Sequence, residues 1–128
     1  MARIPYFDPA EATGRAAKVY EKLPNLNIFR MLGHSGDMID GFIKLGNAIL
    51  VYSDLDPVLR EIAIVRTGVL RGSSYEVYQH DEISRKIGMS EELIAAIHDG
   101  PEAKGFDDLQ RMVMRFTDDV VKNTRASD

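Results

Sequence analysis

Apolar positions along the chain recur at spacings of three and four, and no stretch holds a spacing of two, so the pattern predicts helices and no strand. Residues 1–7 read as extended, because Pro5 blocks an early helix. Asp8-Pro9, with Glu11 three residues after Asp8, is a helix start, and the helix is expected to run to about Lys22, before Pro24. Asn25 is the expected cap of a short helix over 26–32, and residues 33–36 form a loop. A helix over 37–52 carries Met38, Phe42, Leu45, Ile49 and Tyr52 on one face. After a linker at 53–56, Asp56-Pro57 repeats the start signal. The helix over 57–71 is apolar nearly all round, through Val58, Leu59, Ile62, Ile64, Val65, Val69 and Leu70, which marks it as central. Gly72 separates it from a helix that ends at Gly88, and Ser90 caps another over 91–98. A last helix over 107–123 is expected to turn Leu109, Met112, Val113, Phe116 and Val120 inward. The expected fold class is all-α, with about six or seven helices and a central antiparallel hairpin about Gly72.

Charge interrupts this pattern at its centre. Ser73, Glu76, His80, Ile83 and Ile87 form one helical stripe, while Tyr78, Asp81, Glu82, Arg85 and Lys86 form the face suited to water. The stripe carries a carboxylate and an imidazole inward, where burial is costly without a partner. On the preceding helix the charges are Glu61 and Arg66. If the two helices fold back on each other, Glu61, Glu76 and His80 converge into a proton-handling group. Arg66 then either holds a substrate carboxylate or neutralises Glu61. Tyr75 is placed to donate to an oxyanion, and Ser73 opens the same face, which makes all three candidate substrate-binding residues. The alternative is a buried network, Glu61–Arg66 with Glu76–His80, that fixes helix packing and nothing more. The pattern leaves both open.

Composition narrows the classes. A chain of 128 residues is expected to be one domain with a real core. The absence of cysteine excludes disulfides and thiolate chemistry. A net charge of −4 without a basic stripe argues against nucleic acid as a partner. The N-terminus lacks the apolar region of a signal peptide, and no apolar run would span a bilayer, so a cytosolic protein with no membrane contact is expected. His34-Ser35 beside Asp37 lacks the elbow and preceding strand of a hydrolase. His98 at a helix C-terminus reads as a dipole partner. Glu76-x-x-x-His80 does not have the Glu-x-x-His spacing of di-iron bundles, and no metal is expected. The end, Thr124-Arg-Ala-Ser-Asp128, reads either as a frayed tail or as the point where a longer domain continues.

The run Leu55-Asp56-Pro57-Val-Leu-Arg-Glu61-Ile-Ala-Ile-Val-Arg66, followed by Tyr75-Glu76-x-x-x-His80 and Gly88-Met-Ser90, resembles the carboxymuconolactone decarboxylase family, which includes the AhpD-like alkylhydroperoxidases. The resemblance is strongest over 55–98, and it extends to Ile4-Pro5-Tyr6 and to residues 27–32. It implies an all-helical fold, assembly as a trimer or hexamer, a small-molecule substrate and no cofactor. In the peroxidase branch a Cys-x-x-Cys pair and a following His form the redox centre, with a Glu on the preceding helix. Here the two cysteine positions fall on Ser73 and Glu76, while Glu61 and His80 match, so disulfide-based peroxide reduction is excluded. The Glu-x-x-x-His of the decarboxylase branch is matched by Glu76 and His80. The implied reaction is decarboxylation or proton transfer on a small lactone or keto acid, in which the protein stabilises a dienolate and delivers a proton. In that reading His80 with Glu76 is the acid–base pair and Glu61 orients His80. A different class of protein, a non-catalytic oligomeric scaffold, would seal His80 in apolar packing.

Overall fold

The structure, a computed structural model, describes residues 3–127. Met1, Ala2 and Asp128, at the ends of the expected extended segment and tail, lie outside the described residues. The chain divides into two compact units, one up to Ser53 and one from Asp54 on. Every regular element among the described residues is helical.

In the first unit the Asp8 side chain accepts from the Ala10 amide and Pro9 follows, as the start signal predicts. The outcome is a single 3-10 turn, Pro9–Glu11, and the long helix expected to reach Lys22 does not form. Ala12 and Thr13 are extended, and the chain restarts as α1, Gly14–Tyr20. The break is supported from elsewhere in the unit: the open first-turn amide of Ala16 donates to Asp37 Oδ1 at 3.2 Å. Helix α2, Asn27–Leu32, begins after Leu26 rather than Asn25 and has no side-chain cap. A 3-10 turn, Gly33–Ser35, leads to α3, Met38–Leu50. Met38, Phe42, Leu45 and Ile49 share a face by spacing, and all are exposed, whereas Ile39 is the buried residue of α3.

The second unit holds α4 (Pro57–Arg71), α5 (Ser74–Lys86), α6 (Glu91–Asp99) and α7 (Asp108–Asn123). Asp56 caps α4 through the amides of Val58 and Leu59, with Pro57 in the first turn. The all-round apolar character of α4 has the expected result: it packs against α5, α6 and α7. Ile62 and Val65 meet Met89, Ile94, Ile97, Phe106 and Met114 in one core. At its end Gly72 takes φ +64°, a conformation that costs other residues a steric penalty. The Gly72 amide bonds Val69 O at 3.1 Å and the Ser73 amide bonds Gly68 O at 2.9 Å, which closes the helix and sends the chain back. Gly68 faces α5 closely: a Cβ there would stand 3.0 Å from Val77 Cγ2.

Helix α7 is rotated from its expected orientation. Leu109, Met112, Phe116 and Val120 are exposed, Val113 is half-buried, and the buried residues are Met114, Thr117 and Asp118. The reason is an ion pair. Asp118 meets Arg66 of α4 inside the unit, and the face that carries it must turn inward, leaving the more apolar stripe outside.

Candidate functional site

Glu61 stands in the second turn of α4, and its side chain has no exposed surface. Fold-back at Gly72 sets it against His80 of α5, with Glu61 Oε2 2.7 Å from His80 Nδ1. A carboxylate only accepts, so Nδ1 carries the hydrogen of this bond. The other oxygen, Oε1, accepts from Arg60 Nε at 3.2 Å. On the far side of the ring, Nε2 lies 3.8 Å from Glu76 Oε2, beyond hydrogen-bond reach. The expected Glu76–His80 hydrogen bond is therefore absent. The partner that orients the imidazole is Glu61 across the hairpin. Glu76, in the first turn of α5, keeps 40% of its side-chain surface exposed, against 12% for His80. Ser84, one turn further on and fully buried, donates from Oγ to the His80 carbonyl at 2.8 Å and holds that turn of α5.

Beside Glu76 lies an open groove of about 420 Å³, lined by Ala63, Ile64, Thr67, Gly68 and Arg71 of α4 and by Ser73 and Glu76. That volume is within the range of small-molecule pockets, about 300–1,000 Å³. Volume alone does not single it out, since a groove along α7 reaches about 610 Å³ but is lined by residues such as Asp108, Arg115 and Phe116, with no member of the Glu61–Glu76–His80 group. Ser73 is the N-cap residue of α5 and makes no side-chain cap bond. Tyr75 is half-buried in the first turn of α5 and is not part of the groove lining. Neither is His80.

Arg66 is not brought to this group. Its Nε and Nη2 bond the two oxygens of Asp118 at 2.6 and 3.0 Å, and Nη1 reaches the carbonyls of Ile97 and His98 at 3.3 and 3.4 Å. The Glu61–Arg66 contact of the buried-network alternative fails for a geometric reason. Five residues at roughly 100° each put the two side chains about 140° apart around the helix. The guanidinium beside Asp118 holds that carboxyl below the usual carboxylate range, assisted by Lys122 Nζ at 2.7 Å.

Sequence reasoning missed Arg60, Asp118 and Arg71. Arg60 and Arg71 sit at chain positions next to noticed residues, but their partners are set by tertiary packing. Asp118 was legible only as the charged member of the Met114–Thr117–Asp118 face, which a stronger apolar stripe outweighed. His98 does more than face the α6 dipole: its Nε2 lies 3.1 Å from both oxygens of Asp81. His34, in the first unit, bonds the Pro5 carbonyl at 2.8 Å. Among the described residues no three His, Asp or Glu side chains cluster as a metal site, and no helix is long and apolar enough to cross a membrane.

The hairpin thus carries a buried carboxylate on one helix that orients an imidazole on the next, with Glu76 between that ring and an open groove. The family model of the carboxymuconolactone decarboxylase family matches residues 37–119, and the chain belongs to that family. The match is wider than the 55–98 stretch that first carried the resemblance. No curated protein and no solved structure matches the chain significantly.

Proposed function

We propose that the chain is a cofactor-independent carboxy-lyase or proton-transfer enzyme for a small lactone or keto acid, with His80 as its proton carrier. The observation that supports this best is the 2.7 Å contact between buried Glu61 and His80 Nδ1, with Nε2 turned toward Glu76 at the groove. In the proposed reaction the bond to the departing carboxylate breaks and CO₂ leaves. The electron pair passes through the conjugated double bond onto the carbonyl oxygen. His80, oriented by Glu61, then gives its Nε2 proton to the dienolate carbon and recovers one from water. Glu76 faces the same nitrogen as second acid–base partner. Ser73 and Tyr75 are the proposed donors to the developing oxyanion. Arg66, committed to Asp118, fixes α7 against α4. The same reading makes the protein a cytosolic homo-oligomer, a trimer or hexamer, and the exposed apolar stripes on α3 and α7 support assembly.

A second reading has an observation in its favour: His80 is 12% exposed at its side chain and does not line the groove, as a scaffold requires. Release of CO₂ from an unsaturated γ-lactone carboxylate and from a β-keto acid separates the two. As an enzyme, the wild type turns one of them over, and His80→Ala lowers kcat by about a hundredfold to ten-thousandfold. As a scaffold, the wild type turns over neither, and His80→Ala only melts earlier because buried Glu61 loses its 2.7 Å partner and keeps Arg60 alone.

A further inference from the structure

The first unit supplies none of the Glu61–Glu76–His80 group, yet it holds an open groove of its own, about 530 Å³ in volume, between α1 and α3. Val19, Leu23, Phe29 and Ile43 form its apolar lining, and each is half-buried, so each keeps surface for a ligand to cover. Arg15, Lys18 and Lys22 line the same groove, and all three are exposed. Spacings of three and four set them in a row along α1 and the turn after it, about 10 Å long. Among the described residues none of the three meets a carboxylate within ion-pair distance. Asp40, the carboxylate of the lining, is already engaged by Lys44 at 2.7 Å. The placement is costly in two ways. Like charges one turn apart repel. Arg15 also stands in the first turn of α1, where the helix dipole disfavours a cation and no acidic residue offsets it.

We infer that this groove binds a small molecule made of an apolar body and a phosphate head, a phosphate ester of an apolar alcohol. The charge selects the head. A single carboxylate would compensate one cation and leave two opposed. A phosphate monoester brings a charge of about −1.5 to −2 at pH 7 and three acceptor oxygens, enough to meet neighbouring members of the row together. The Arg15 fork matches two phosphate oxygens, and the lysines add point charges beside it. The lining selects the body. Four apolar side chains offer a surface to cover, and the volume is within the small-molecule range of about 300–1,000 Å³. A single-stranded nucleic acid would ask for successive stacking rings, and Phe29 is the only aromatic residue in the lining. Every residue invoked precedes Asp54, so the inference does not depend on the reading of His80.

The test is titration of the full chain with naphthyl phosphate, read by calorimetry and by amide shifts in NMR, with inorganic phosphate and naphthol as the two halves of the ligand. Naphthyl phosphate is expected to bind at least about tenfold more tightly than either half, and less tightly as salt is added. The shifted amides should fall in α1, the turn after it and α3. Lys18→Gln combined with Lys22→Gln should weaken binding about tenfold or more without lowering Tm, since both side chains are exposed. The inference is overturned if the double variant binds as wild type does, if naphthol binds as tightly as its phosphate, if the shifted amides all lie beyond Asp54, or if naphthyl phosphate does not bind. Sedimentation with phosphatidic acid vesicles, in a chain that ignores the soluble probe, would also overturn it and assign the row to a lipid surface.

Discussion

Asp118→Ala is expected to be among the most damaging single substitutions in the second unit. The residue is buried, and both its oxygens bond Arg66, which is itself only 7% exposed. After truncation the guanidinium keeps two carbonyl contacts, at 3.3 and 3.4 Å, and no counter-charge. Breaking a buried pair in this way costs about 3–5 kcal/mol. For a unit of this size each kcal/mol lowers Tm by roughly 4–8 °C, so a loss of at least roughly 12 °C is expected. Replacing both partners with apolar residues, as in Arg66→Met with Asp118→Leu, should recover most of the loss, because no charge is then stranded. Urea titrations of the wild type, both single variants and the double variant close the cycle, with constant m-values as the control. The pair also predicts a pH dependence. The Asp118 carboxyl is depressed in the folded state, chiefly by its hydrogen bond to Arg66. Its stabilisation is therefore complete above the unfolded carboxylate range, near pH 4, and is lost as pH falls through the lower folded value. Asp118→Asn should flatten the acid limb of the stability curve. A single-variant loss below about 1 kcal/mol, or a double variant as damaged as the sum of the singles, would refute the reasoning.

Three further outcomes are expected. A thiol-dependent peroxide assay on pure, metal-free protein should read at buffer background, since the chain has no cysteine, and turnover above that level would overturn the exclusion. Light scattering at micromolar concentration should give a trimer or a multiple of three, and Phe116→Asp on the exposed α7 stripe should lower the mass; a wild-type monomer would end the assembly proposal. Gly68→Val should destabilise the second unit by about 1–3 kcal/mol, measured by thermal melting, because even the first added carbon meets Val77 at 3.0 Å; an unchanged Tm would mean that α4 and α5 separate freely.

The helices of the second unit were legible because their signals are local. Asp56-Pro57, Gly72 and Ser90 each act within a turn of their own position, and each starts or terminates its helix where expected; Asp107, expected as the first residue of the last helix, is its N-cap. The first unit was less legible. Asp8-Pro9 is a true start signal, but nothing near it in sequence reveals that Asp37 receives the Ala16 amide and supports a restart. The orientation of α7 failed for a related reason: periodicity reports that a helix has an apolar face, not which face the interior selects, and a long-range ion pair decided it. At the site, the convergence of Glu61 with His80 followed from folding the hairpin about Gly72. The priority of Glu61 over Glu76 did not, because neighbours one helical turn apart compete with a residue nineteen positions away only through rotamers that packing sets.

On the proposed chemistry, Arg60 gives the buried carboxylate a property that would matter over repeated turnovers. Glu61 divides its two oxygens between a permanent cation at 3.2 Å and the imidazole at 2.7 Å. Were the imidazole its sole partner, each proton handed on would leave the buried anion with one neutral Nδ1–H donor and no counter-charge, and the step would be uphill by the cost of that uncompensated charge. With Arg60 in place the enclosed charge stays compensated whichever state His80 is in. In that proposed cycle the ring would discharge and reload beside a carboxylate that keeps its Arg60 partner throughout.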